Sequence, residues 1–147
     1  MNFQVKRFKE LSVKEIYEIL KVRNEVFVVE QECVYQDCDG KDHNAHHIFL
    51  KDGEKVIAYL RVLDKGISYE EISIGRVLVA MSHRGQGIAN MLMKKAIVFI
   101  TEELNEDSIR ISAQEYLLKF YSSLGFKVVS ETYLEDGIPH VEMIYKK

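Results

Sequence analysis

The chain has 147 residues, 47% of them hydrophobic and 29% charged, enough for one domain with its own core and far from the composition of a disordered segment. A formal net charge of −3 excludes the global basic field that drives sequence-independent binding to phosphate backbones, so nucleic acid is not expected as a partner. The N-terminus lacks the apolar run of a signal peptide, no segment approaches about eighteen uninterrupted apolar residues, and Cys33 and Cys38 are too few for a disulfide framework or a four-thiolate zinc site. The expectation is a cytoplasmic protein with free thiols, no membrane association and no metal.

Phe3 and Val5 alternate with Gln4 and Lys6, a strand pattern over 3–8. Ser12 and Glu15 stand at capping-box spacing. Ile16, Ile19, Leu20, Arg23 and Phe27 follow at helical spacing and predict a helix to about Glu30. From 31 to 45 the chain is polar and acidic, with Glu32, Asp37, Asp39 and Asp42, and reads as loop with room for one short helix. Asp52-Gly53 supplies the turn of a hairpin between strands at 47–50 and 55–63. A strand over 71–79 ends in Val77-Leu78-Val79, a continuous apolar run suited to a central strand covered on both faces. Ile88, Leu92, Ala96 and Phe99 then mark one face of a helix ending near Glu103.

A short strand over 109–113 precedes a short helix carrying Leu117, Phe120, Tyr121 and Leu124, with Gly125 at its C-terminus. Strands at 127–134 and 138–145 flank a second turn signal, Asp136-Gly137. The order β, α, β, β, β, α, β, α, β, β predicts a single α+β or mixed α/β domain over 1–147, built on a mainly antiparallel sheet.

The turn Met81-Ser82-His83-Arg84-Gly85-Gln86-Gly87 joins a strand to a helix. Unpaired backbone N–H groups and the positive end of a helix dipole therefore gather at one point, where an anion is favoured. Gly85 and Gly87 let the backbone approach a pyrophosphate, and Arg84 adds a charge-assisted donor. A tight turn leading into an amphipathic helix accounts for the same residues without a ligand. The Walker pattern is excluded for want of Gly-Lys-Ser/Thr, and the dinucleotide fingerprint by the glycine spacing.

Val77-Leu78-Val79 followed by Arg84-x-x-Gly87-x-Ala89 resembles motif A of the GNAT acetyltransferases, in which such a turn cradles the coenzyme A pyrophosphate. Phe120-Tyr121-Ser122-Ser123-Leu124-Gly125-Phe126 resembles the C-terminal segment of the same superfamily. The segments Arg23-Asn24-Glu25-Val26-Phe27-Val28-Val29-Glu30-Gln31 and Tyr133-Leu134-Glu135-Asp136-Gly137-Ile138-Pro139-His140 are similar to those of its ElaA-type branch, so the likeness spans nearly the whole chain. Met81 departs from the pattern, where many relatives carry proline. The resemblance implies the GNAT fold, a strongly twisted sheet of six to seven strands flanked by helices. It also implies acetyl-CoA as cosubstrate, held by Val77, Leu78, Val79, Arg84, Gly85, Gln86, Gly87, Ile88 and Ala89. The backbone of Val77 and Val79 would pair with the pantetheine, and an amine would attack the thioester directly with no metal.

By the same resemblance Tyr121 is the general acid to the departing thiolate; helical spacing with Leu117 and Leu124 also fits a core tyrosine. For the general base the chain offers Glu71, His46, His47 and His140, with His47 and Glu71 ranked first. His43, His46 and His47 fit no helix-based zinc pattern. Arg23 and Arg76 call for buried ion-pair partners. The acidic run from Glu30 to Asp42 either steers a cationic amine or is a solvated loop. The acceptor is a small-molecule or protein amine, its selection left to the 31–45 loop and the Asp136-Gly137 hairpin, and the assembly a monomer or homodimer. A non-catalytic acyl-CoA sensor or interaction module, and a nucleotide-binding domain of another class, are the competing readings.

Overall fold

The computed structural model describes residues 2–147. Strand β1 (Phe3–Arg7) leads through a single 3-10 turn into helix α1 (Val13–Arg23). The predicted capping box closes that helix: the Ser12 hydroxyl accepts from the Glu15 N–H, and a Glu15 carboxylate oxygen accepts from the Ser12 N–H. Helical winding continues to Glu30, as the spacing predicts, but widens to π geometry over Asn24–Glu30. Helix α2 (Ile88–Val98) ends the same way over Phe99–Glu103. Apolar periodicity marks both lengths and is blind to the change of pitch.

Strands β2 (Ala45–Asp52) and β3 (Lys55–Leu63) form the first hairpin, with Gly53 at φ +63°. Next come β4 (Ile72–Val79), α2, β5 (Ser108–Gln114) and the short helix α3 (Leu118–Ser123). The expected strand over 127–134 is two shorter ones, β6 (Lys127–Val128) and β7 (Tyr133–Glu135), both paired to β8 (Ile138–Lys146). That break raises the strand number from the expected six or seven to eight, in the order β1-β2-β3-β4-β5-β8-β6 with β7 on β8. All neighbours are antiparallel except β4 and β5. No helix among the described residues is long and apolar enough to cross a membrane.

Alternation along the strands divides the core in two. Ile48, Leu50, Leu60 and Val62 meet Leu92, Met93, Ala96 and Ile100 of the α2 segment. Phe49, Tyr59 and Leu78 meet Ile19, Val22 and Val26 of the α1 segment. Helices on both faces explain why the central strands read as continuous apolar runs.

The β4–β5 pair positions the cavity. It has only two registered pairs, Ile72 with Ile109 and Ser73 with Arg110, after which the strands diverge. Arg110 clasps the closed end: its Nε lies 2.9 Å and its Nη2 3.1 Å from the Glu71 carboxylate, and its Nη1 lies 2.7 Å from Glu142 of β8. Beyond the paired residues β4 carries a bulge, in which Arg76 and Val77 face Leu60 of β3 and Arg76 takes φ +54°.

Arginines also organise the acidic loop. Asp37 bridges Arg23 (Nε–Oδ2 2.8 Å) and Arg76 (Nε–Oδ1 2.8 Å). Asp42 bridges Arg23 (2.7 Å) and Arg61 (3.0 Å), and Asp39 takes the Arg61 fork. Burial opposes ionisation of Asp42, yet Arg23 and Arg61 hold its carboxyl below the usual carboxylate range. The loop is therefore neither a solvated tract nor a bare acidic field, because Asp37, Asp39 and Asp42 are matched by arginines from α1, β3 and β4. Arg23 is completely buried. Arg23→Ala is expected to cost about 2–3 kcal/mol, since buried Asp42 and half-buried Asp37 each lose a charged hydrogen bond and keep one arginine, Arg61 and Arg76; denaturant unfolding measures it, and a loss under about 1 kcal/mol would contradict the network's structural role.

Glu15 gives a pH signature. Burial raises its pKa, but the Ser12 N–H, Lys51 and Lys6 outweigh that and bring it from 4.5 to about 2. A folded-state value below the unfolded one stabilises above pH 4.5, and the contribution fades as pH falls toward 2. Glu15→Gln is expected to lower stability at neutral pH and to flatten the acid limb between those values in a series of unfolding curves.

Candidate active site

One cavity of about 1240 Å³ runs along the opened edge of β4, from the N-terminus of α2 to the β7–β8 turn. The Ala80 N–H donates to the Ile57 carbonyl of β3 at 2.8 Å. Alternation therefore turns the backbone groups of Val79, and of Val77 two residues earlier, toward the side where β5 has departed. The Val79 carbonyl accepts from Arg84 Nε at 2.9 Å; no strand pairs with this stretch of β4 on that side. An extended ligand bearing amide groups can add there as a strand would.

At the head of the cavity Gly85 and Gly87 take φ +79° and +75°, and Gly87 is the N-cap of α2 with no side chain capping the helix. The first N–H groups of an eleven-residue helix are thus left to a ligand or to water. Arg84, Gly85, Gly87, Ile88 and Ala89 line the cavity with Val77, Leu78 and Val79, whereas the predicted Gln86 is exposed and stands apart. Arg84 is already engaged. Its Nη1 and Nη2 each lie 2.8 Å from a Glu30 carboxylate oxygen, a pairing that raises its pKa further.

Tyr121, on α3, lines the same cavity at 6% exposure. Burial, with Tyr116 nearby, pushes its phenol well above the ordinary value of 10, so it is protonated at neutral pH. The ring packs at the edge of the core against Phe120 and Phe126, as its helical spacing with Leu117 and Leu124 predicts, and the residue also borders the cavity.

The two favoured bases lie elsewhere. His47 is 1% exposed on the α1 face of the sheet; its Nε2 donates to the Asp42 carbonyl at 2.9 Å and its Nδ1 accepts from the Tyr59 hydroxyl at 2.6 Å. Burial, then Arg23 and Arg61, lower its pKa despite Asp42. It is a neutral structural ring away from the cavity wall. Glu71 immediately precedes β4 and is held by Arg110, which keeps its pKa below the usual range. Its carboxylate belongs to the closed end of the splayed strands. His46 sits between Arg7 and the Phe99 ring, also outside the cavity.

His140 does line the cavity, with Glu135, Ser112, Gln114, Tyr69 and Tyr116. Of these the sequence reading had singled out His140 alone. Cys33, a free thiol as expected, also lines it, its thiol 3.3 Å from the Asp136 carbonyl oxygen, so the 31–41 loop rests on the β7–β8 turn. Cys38 is exposed.

The acetyltransferase (GNAT) domain family matches residues 9–147, and the chain belongs to it. Among its relatives is the protein ElaA of Escherichia coli, 39% identical over 145 residues that cover 97% of this chain and 95% of ElaA. The crystal structure of Escherichia coli ElaA superposes with a TM-score of 0.93, 38% identity and coverage of 99% and 100%. An acyl-CoA N-acyltransferase from Pseudomonas aeruginosa superposes with a TM-score of 0.92, 37% identity and coverage of 99% of both chains. The fold is accordingly the GNAT fold, a mixed, mostly antiparallel sheet flanked by helices.

Glu30 neutralises the one arginine at the anion-attracting end of α2. Glu30→Gln is expected to tighten inorganic pyrophosphate binding several-fold at low salt, read as a larger pyrophosphate-induced shift in Tm. An unchanged shift would mean that the Arg84 charge plays no part there.

Proposed function

We propose that this protein transfers an acetyl group from acetyl-CoA to an amine by direct attack on the thioester. The observation that carries this reading is a single cavity bordered by an opened strand edge, an uncapped helix N-terminus and the Tyr121 ring. The pyrophosphate would lie on the N–H groups of Gly87, Ile88 and Ala89. The pantetheine amides would pair with the backbone of Val77 and Val79, each hydrogen bond contributing about 0.5–1.5 kcal/mol. A pantetheine laid along β4 points its thiol end down the cavity toward α3, where Tyr121 donates to the departing sulfur. A phenol raised by burial is a weak acid in water, but a thiolate formed in the same dry site is equally short of solvation, so the proton transfer stays feasible.

The acceptor enters from the β7–β8 side, beside the point where the 31–41 loop rests on that turn, and the scheme calls for no metal. Thermal shift separates this reading from a nucleotide-binding one, because coenzyme A should stabilise the fold where ATP and NAD do not. Thiol release from acetyl-CoA with a panel of primary amines separates it from a sensor. Tyr121→Phe is expected to lower turnover about 10²-fold and to leave the coenzyme A shift in Tm intact. Unchanged turnover would remove Tyr121 from the chemistry.

A further inference from the structure

The cavity wall holds several carboxylates, and most are matched to an arginine: Glu30 to Arg84, Asp37 to Arg76, Asp39 to Arg61. Glu135 differs. Its Oε2 lies 3.4 Å from Nε2 of His140, and no arginine or lysine among the described residues pairs with it.

His140 is held in one orientation by backbone geometry. The two-residue turn sets the β7–β8 register, so His140 faces Tyr133 across the hairpin, and the rings stack with centroids 6.2 Å apart at 25°. On its other edge β8 pairs His140 with Gln114, the last residue of β5 before the chain turns into α3 and Tyr121. Nδ1 of the ring lies 2.7 Å from the Ile138 carbonyl oxygen. A carbonyl has no proton to give, so Nδ1 carries the hydrogen and donates it. The remaining nitrogen, Nε2, is the one that can take a proton, and a proton there is shared with the Glu135 carboxylate 3.4 Å away.

We propose that His140, oriented by the Ile138 carbonyl and backed by Glu135, is the group that removes a proton from the acceptor ammonium. This rests on the acyl-transfer reading above. The amine arrives as R–NH₃⁺, attracted to Glu135 and to Asp136 in the turn. Nε2 takes one proton, leaving an imidazolium that Glu135 stabilises. The freed nitrogen lone pair forms the C–N bond while the carbonyl π pair moves to oxygen. Collapse re-forms C=O and breaks C–S, and the thiolate takes the Tyr121 proton. The second ammonium-derived proton passes from the new C–N nitrogen to the Tyr121 phenolate through solvent, and the imidazolium releases its proton to solvent. The sum is R–NH₃⁺ plus acetyl-CoA giving the acetamide, CoA–SH and one H⁺.

The variant that tests this is His140→Gln, whose side-chain amide can still donate to the Ile138 carbonyl. With the alkylamine that the wild-type protein acetylates best, kcat is expected to fall about 10²-fold or more, with the KM for acetyl-CoA and the coenzyme A shift in Tm unchanged. Offered hydrazine, which is largely unprotonated near pH 8.5, the variant should recover most of the wild-type rate with that acceptor, because the base is no longer needed. A purely structural histidine would lower both rates alike, and that result, or an undiminished alkylamine rate, overturns the assignment. If His140→Gln does not fold, Glu135→Gln decides: about a tenfold loss confined to ammonium acceptors supports the pair, and no loss overturns it. A wild-type protein that binds coenzyme A yet releases no thiol with any amine defeats the acyl-transfer reading, and this assignment with it. Wild-type activity matched by both variants defeats the assignment alone.

Discussion

Everything distinctive about this domain follows from two strands that begin side by side and then part. Parallel pairing between β4 and β5 is confined to Ile72–Ile109 and Ser73–Arg110, and the backbone of β4 beyond it faces a cavity in place of a neighbour. An unsatisfied strand edge inside a sheet is costly unless something else meets its N–H and C=O groups. Here the Arg84 side chain meets the Val79 carbonyl, and a ligand or water is left to meet the rest.

The parting is enforced at both ends. Arg110, gripped by Glu71 and Glu142, ties β4, β5 and β8 together where the strands still touch. Further along, the Arg76 bulge kinks β4, and the Asp37 carboxylate joins Arg76 to the buried Arg23 of α1. Charge is thus used as framework through most of the cavity wall. The consequence for chemistry is one of elimination, since a carboxylate held by a guanidinium is a poor proton acceptor. Among the described residues, Glu135 of the β7–β8 hairpin is a cavity carboxylate with no guanidinium partner, held by Ser112 and His140 at the far end from the uncapped helix.

Much of this was legible in the chain. The Ser12–Glu15 box, the two turn pairs at Asp52-Gly53 and Asp136-Gly137, and the glycines after β4 each act over a few residues, so their structural meaning can be counted along the sequence. The Tyr133–His140 pairing could have been counted too, from the two-residue turn between them. The errors concern partners far apart in the chain. Glu71 looked available because Arg110, thirty-nine residues away, is invisible to local reading. His47 looked exposed to the site because only the packed sheet shows that its face belongs to α1, Tyr59 and Asp42. The 31–45 loop read as an acidic tract for the same reason: its arginines come from three other elements.

The most direct test of the central claim is a crystal structure with coenzyme A bound. The account predicts the pyrophosphate on the N-terminus of α2, the pantetheine amides hydrogen-bonded to the backbone of Val77 and Val79 in the gap between β4 and β5, and the sulfur within about 3.5–4 Å of the Tyr121 hydroxyl. Coenzyme A seated elsewhere, or a pantetheine that leaves the β4 edge unpaired, would contradict it.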